Sequence, residues 1–236
     1  MKESYLGVDV CNHSYVSLTH LIKDDIDRNR QSCIVAVNPE KVLKAQADDN
    51  LRQLLNQATY QIPDGVGILI ASKFKKGLIK ERVTGIDMLL ALCEMAEKHD
   101  KTVFLYGAKP GVGEKARENL LKTFPSLRVV GVMDGYEKNH QKILDTINLA
   151  KPDILFVGLG SPRQEYWILE NMPQLNVRIF QGVGGSFDVL SGNIKRAPRF
   201  FRKSGLEWLY RLGKEPYRIK RQLKLPLFLF KVLTKG

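Results

Sequence analysis

Short apolar runs and amphipathic stretches alternate along most of this chain, and that alternation limits its possible folds more than any other feature. TVFLYG is followed by VGEKARENLLKTF, LRVVGVMD by NHQKILDTINLAK and DILFVGLG by PRQEYWILENM, with VRIFQGVGG closing the series. Upstream, CIVAVN precedes PEKVLKAQADDNLRQLLNQA. The runs from Thr102 onward are apolar throughout rather than at every second residue, as in parallel strands covered on both faces. Repeated strand–helix units with right-handed crossovers imply a doubly wound, Rossmann-like α/β fold with a mostly parallel sheet. The expected organisation is an α/β body over 1–194, in an N-terminal lobe (about 1–100) and a nucleotide-binding lobe (about 101–194), followed by a basic amphipathic helical appendage over 195–236.

Ligands of such sheets bind beyond the carboxyl ends of the strands. That rule singles out Asn38, Gly107, Asp134, Gly158 and Gly182. Gly111-x-Gly113-x-x-Ala116 lies between a strand and a helix, and Asp134 ends the next strand, which is half of a dinucleotide fingerprint. Ala108, Lys109 and Pro110 intervene before the first glycine and spoil the tight turn of a nicotinamide site. A nucleotide diphosphate over the helix N-terminus and an ordinary Gly-rich turn both stay open. No GK[ST] is present, so a P-loop is excluded. Gly107, Gly111, Asp134, Tyr136 and Gly158, with Gly184, Gly185 and Asp188 of GGSFDVLSG, form the candidate nucleotide-binding set. GGSFDVLSG also reads as a capped turn.

Asp64, in IPDGVGIL, is either a turn residue before glycine or a partly buried carboxylate suited to base work. Arg82 precedes a helix that Thr84 can cap. A cation there makes an anion site, or is an ordinary surface charge. Gln164 and Glu165 fall in the first turn of the helix after the Gly158 strand. Glu165 serves equally well as a helix-dipole partner or a ligand contact. Four dispersed histidines give no metal-ligand pattern. The D-x-D within Asp24–Asp27 sits in helical YVSLTHLIKDDIDRNR and reads as a solvated face, so no metal or other cofactor is expected. No G-x-S-x-G or Cys–His nucleophile appears.

The charge is uneven. From Lys195 onward lie 13 of the 37 basic residues and 2 of the 25 acidic ones, a balance of +11 against +1 for the rest. A cationic tail needs an anionic partner. Leu206, Leu209 and Tyr210 share a helical face, LPLFLF follows, and cations flank both. That mixture suits an interfacial helix on an anionic leaflet, or packing against protein. A nucleic-acid arm would be more polar, so no nucleic acid is expected. Three scattered cysteines read as reduced intracellular thiols. The opening MKESYLGVDVCNH lacks an apolar leader, and LPLFLFKVL falls short of the ~20 residues that span a bilayer. The expected location is cytoplasmic, peripheral on the inner face of the membrane.

Taken together, VNPEKV, IPDGVGI, RVTGIDM, LYGAKPGVGEKA, LFVGLGSPRQEYWI and GVGGSFDVLSGNIKRAPRFFRKSGLEWLYRL, in order over roughly Asn38 to Leu212, resemble the WecG/TagA/CpsF family of bacterial glycosyltransferases (glycosyltransferase family 26). With EPYR in the tail, the likeness is strongest to its wall-teichoic-acid branch of N-acetylmannosaminyltransferases. The resemblance implies a two-lobed, metal-independent enzyme. It would transfer N-acetylmannosamine, with inversion, from a UDP donor to the 4-hydroxyl of N-acetylglucosamine on undecaprenyl diphosphate. By the same resemblance Asp64 is the general base, Asn38 holds a sugar, Gln164 lines the pocket and Arg82 binds a diphosphate. Arg211, Arg218 and Arg221 would close over the site against the charge of the leaving UDP. A tail that folds only on the membrane, self-association in solution, and a body that survives truncation after Ile194 are further expectations. Family members commonly carry threonine two positions before the asparagine; this chain has Ala36. The alternatives are a related transferase of N-acetylmannosaminuronic acid or another UDP-hexose, a nucleotide-dependent oxidoreductase using the Gly111 turn, and a non-catalytic membrane adaptor.

Overall fold

The computed structural model describes residues 2–198, 200–201, 209–210, 213 and 224–235. An antiparallel hairpin opens the chain, β1 (Lys2–Tyr5) and β2 (Val8–Cys11). Next come α1 (Tyr15–Asp27), β3 (Ser32–Val37), α2 (Pro39–Ala45), α3 (Asp49–Gln57), β4 (Tyr60–Pro63), α4 (Val66–Phe74) and α5 (Gly85–Lys98). Regular alternation then sets in: β5 (Thr102–Gly107), α6 (Val112–Thr123), β6 (Arg128–Met133), α7 (His140–Ala150), β7 (Ile154–Gly158), α8 (Arg163–Asn171), β8 (Ile179–Gly182) and α9 (Ser186–Leu190). The last described helix is α10 (Lys224–Lys235).

Strands β3 to β8 form one sheet in the order β4-β3-β8-β7-β5-β6, parallel at every pairing. Because β8 lies between β3 and β7, the strands before and after Thr102 belong to one continuous sheet. Successive side chains of a strand point to opposite faces, and each face here has its own core. Cys33, Val35, Val37, Phe104, Tyr106, Leu155 and Val157 pack on the side of the hairpin, α2, α3, α4, α7 and α8. Ile34, Val103, Leu105, Ile154 and Phe156 pack on the side of α1, α5, α6 and α9. Burial on both faces is why these strands lack a polar alternation.

Two features differ from the sequence-based expectation. PEKVLKAQADDNLRQLLNQA is two helices, because the Asp48 carboxylate accepts from Leu51 N at 3.0 Å and starts α3 as a cap; such a cap competes with continuation of α2. The last described helix, α10, packs on the body rather than folding apart from it. In α10, Phe228 and Val232, four residues apart and so on one face, are 0% and 2% exposed. They belong to the same core as Tyr5, Val42 and Ile68. Lys224 Nζ reaches Glu40 Oε1 at 3.4 Å, and Lys231 Nζ donates to Gln46 Oε1 at 3.0 Å. Truncation after Ile194 therefore strips part of the core. The opposite face of α10 leaves Leu227, Phe230 and Leu233 exposed. Among the described residues, no helix is long and apolar enough to cross a membrane.

Candidate active site

Asn38 and Asp64 end neighbouring strands and lie side by side on the carboxyl rim of the sheet. Asn38 caps α2, its Oδ1 accepting from Lys41 N at 2.9 Å. Asp64 N donates to Val37 O at 2.8 Å, which holds the β4 end against the β3 end. A Cβ on Gly65 would stand 3.7 Å from Asn38 Cβ. Asp64 is half-buried. The N-terminus of α5 closes the same corner: Val83 N donates to Pro63 O at 3.0 Å, and Gln181 Nε2 of β8 donates to Gly85 O at 2.8 Å. Arg82, partly buried, immediately precedes this turn. Ala36 faces it as well, 3.6 Å from where a Cβ of Gly85 would sit.

Tyr15 and Asp87 complete the corner and were not singled out in the sequence. Tyr15 OH accepts from Thr84 N at 2.7 Å. Burial, with smaller contributions from the Asp87 and Asp64 charges, raises its phenol pKa above the ordinary value, so the group stays protonated and can donate. Asp87 Oδ2 accepts from Thr84 Oγ1 at 2.7 Å, while its Oδ1 accepts from Arg196. The chain leaving the body is thus pinned to the start of α5. At the other end of the tail, Lys224 meets Glu40 in the first turn of α2, and Leu225 packs against Gly67 in the first turn of α4. The tail is therefore anchored at both ends beside Asn38 and Asp64. Arg211, Arg218 and Arg221 lie outside the described residues.

Gln164 is held rather than open to solvent. It is 3% exposed; its Oε1 accepts from Gly184 N at 2.8 Å, and its Nε2 donates to Glu165 Oε1 at 3.0 Å. A Cβ on Gly182 would come 2.6 Å from Gln164 Nε2, so glycine at the end of β8 is what admits this side chain. Gln164 thereby shapes the turn carrying Gly184 and Gly185. Glu165 neither meets solvent nor simply balances a helix dipole: its Oε1 accepts from Lys41 Nζ of α2 at 2.8 Å, with the two side chains 8% and 0% exposed. The sequence carried one sign of this pair. Lys41 is a cation in a first helical turn, where the dipole disfavours it, so it requires a carboxylate from elsewhere.

The remaining candidates lie farther along the rim. Strands ~4.8 Å apart place the end of β5 about 14 Å from that of β3, and the end of β6 about 24 Å from that of β4. Gly107 serves packing: at φ 122°, a Cβ there would meet the Gly158 backbone at 2.6 Å. Gly111 at φ 78° starts α6 with nothing within 4 Å of its Cβ position, and Gly184 is equally open. Asp134 turns its carboxylate on its own loop, accepting from Tyr136 N at 2.7 Å, and Tyr136 is exposed. The Asp188 carboxylate lies near Gly185, with Oδ2 3.7 Å from the Cβ position there.

The D-x-D is at the opposite rim. Asp25 is buried, not solvated: it accepts from Ser32 Oγ at 2.6 Å and from Tyr60 OH at 2.7 Å. Asp24 pairs with Arg28 and Arg30, and Asp27 with Lys23 and Lys101. Among the described residues, no three His, Cys, Asp or Glu side chains are grouped to hold a metal ion. Cys11, Cys33 and Cys93 are buried free thiols.

Residues 3–236 match the glycosyl transferase WecG/TagA/CpsF family. The chain belongs to this family. It is similar to proteins named N-acetylglucosaminyldiphosphoundecaprenol N-acetyl-beta-D-mannosaminyltransferase. The one from Bacillus spizizenii is 37% identical over 93% of this chain and 85% of the relative. The Bacillus subtilis protein is 35% identical over 92% and 85%, and that of Staphylococcus aureus strain MRSA252 is 34% identical over 98% and 92%.

Proposed function

We propose that this enzyme transfers N-acetylmannosamine from a UDP donor to N-acetylglucosamine carried on undecaprenyl diphosphate, the linkage-unit step of wall teichoic acid synthesis. One observation carries the assignment of the site: Asp64, half-buried at the carboxyl end of β4, stands beside Asn38 at the corner where both anchors of the cationic tail converge. In this reading Asp64 takes the proton of the acceptor 4-hydroxyl. That oxygen bonds to the anomeric carbon as the bond to the UDP oxygen breaks, and UDP leaves with the electron pair on the opposite face, inverting the centre. A positioned base of this kind contributes ~10²–10⁴ in rate.

Asn38 orients the donor sugar, and the nucleotide extends along the rim past Gly184 and Gly185 toward Gly158 and Gly111. Arg82 holds a diphosphate. Arg211, Arg218 and Arg221, tethered between Arg196 and Lys224, offset the charge developing on UDP. In this reading the D-x-D binds no metal, its aspartates being engaged by cations and hydroxyls at the far rim. The exposed apolar face of α10, with Leu227, Phe230 and Leu233, supports a peripheral seat on an anionic leaflet. Away from a leaflet, the same face favours self-association.

Incubation with UDP-N-acetylmannosamine and a lipid-diphosphate N-acetylglucosamine acceptor should release UDP and give a product of inverted anomeric configuration. Asp64→Asn should lower kcat by ~10²–10⁴ while UDP still raises the melting temperature. Full turnover in that variant would remove Asp64 from the chemistry. Protection by NAD in place of UDP would favour an oxidoreductase.

A further inference from the structure

We propose that Lys41 and Glu165 are positioning residues for the donor site, acting through Gln164 on the turn at Gly184. This rests on the reading of the rim as the site of donor binding. The pair is buried, at 8% and 0% side-chain exposure, and Glu165 Oε2 accepts no hydrogen bond. A buried ion pair with an unsatisfied oxygen is a poor device for stability, because desolvation offsets its attraction. Its location gives it another use. Lys41 comes from α2, which follows β3, and Glu165 from α8, which follows β7; β8 lies between those strands. The 2.8 Å bond therefore clasps the two sides of the crevice over the end of β8.

The clasp also fixes one amide. A carboxylate only accepts and a backbone N–H only donates. Gln164 therefore satisfies Glu165 and Gly184 in one orientation alone, Nε2 to the carboxylate and Oε1 to the amide. Lys41 holds the carboxylate, the carboxylate holds the Gln164 amide, and the amide holds Gly184 in its left-handed conformation at φ 53°. The same α2 presents Asn38 as its cap, so one pair sets the geometry on both sides of the crevice.

Two double variants separate positioning from simple structural support. Lys41→Met with Glu165→Gln removes both charges but keeps an oxygen for Gln164. Lys41→Met with Glu165→Leu removes the charges and that oxygen. The Gln variant should melt close to the wild type, since a neutral replacement of a buried pair is commonly tolerated, and the Leu variant should stay folded but melt a few degrees lower, since Gln164 Nε2 loses its acceptor. The Gln variant, which loses the hold of Lys41 but keeps an oxygen for Gln164, should raise the donor KM less than the Leu variant. The Leu variant should raise donor KM and UDP Kd about tenfold, as for loss of one buried hydrogen-bond anchor, with kcat less affected. Wild-type donor KM in the folded Leu variant, or equal impairment of both variants, would overturn the proposal. Hydrogen exchange adds a measurement that needs no substitution: the Gly184 amide should be protected in the wild type and in the Gln variant, and rapid exchange there in folded wild type would refute the clasp. If the wild type failed to bind UDP, the donor-site reading would fall, and exchange at Gly184 would decide the pair alone.

Discussion

Phe228 and Phe230 sit two residues apart on α10, and the structure assigns them opposite jobs. Phe228 is 0% exposed and tilts against Tyr5 with ring centroids 6.3 Å apart; Phe230 is 65% exposed. Replacing a core phenylalanine by alanine costs ~3–5 kcal/mol, the transfer and cavity contributions together. In a chain of 236 residues, each kcal/mol lowers the melting temperature by about 2–4 °C. Phe228→Ala should therefore melt roughly 6–20 °C below the wild type. Phe230→Ala should change stability by no more than about 0.5 kcal/mol. On vesicles containing anionic lipid the order reverses. Burying a phenylalanine at an interface contributes ~1.5–3 kcal/mol, so Phe230→Ala should weaken partitioning by about one to two orders of magnitude. Calorimetry and vesicle sedimentation on the same two proteins test both halves. If Phe228→Ala melts with the wild type, α10 is not docked in solution, and a tail that folds only at the membrane becomes the better account.

Other outcomes follow from the same packing. The three thiols are buried, so a thiol reagent at neutral pH should label none in the native protein and all three after denaturation. Burial foremost, then the nearby Glu165 charge, pushes the Cys33 thiol up from 9.0 to about 12, against a smaller pull from Lys41. A raised pKa means that its contribution to stability is fully present below pH 9 and is lost as pH rises from 9 toward 12, so melting temperature should fall across that window, and less steeply in Cys33→Ala. Gly107→Ala should be severely destabilised, because its Cβ meets backbone at 2.6 Å. Gly111→Ala has open space and should lose only the ~1–2 kcal/mol of a left-handed residue, plus whatever UDP contact is made there, read as a change in UDP Kd. Ala36→Thr should fold normally, since its neighbour Gly85 carries no side chain and even a Cβ there would stand 3.6 Å away, and should lower the donor KM if a hydroxyl at that position touches the sugar.

Much of this protein was determined by local sequence. Continuous apolar runs such as TVFLYG and ILFVG can be satisfied only inside a sheet covered on both faces, and Asn38, Thr84 and Asn139 mark helix starts because their side chains reach amides three residues on. The strand-end rule singles out Asn38, Gly107, Asp134, Gly158 and Gly182, all on the carboxyl rim of the sheet, whereas Asp64 and Gly184 stand out through their own motifs. What the sequence could not supply was strand order and partnership over long separations. Phe228 is as apolar as Phe230, and their fates diverge only because α2 and α4 offer one of them a place in the core. Lys41 and Glu165 are 124 positions apart, and nothing local distinguishes a buried, paired glutamate from one at a solvated helix start. Periodicity reports how a residue relates to its neighbours within a turn or two. Burial, ion pairing and the closing of a site depend on which distant elements the sheet order brings alongside, and insertion of β8 between β3 and β7 made that decision here.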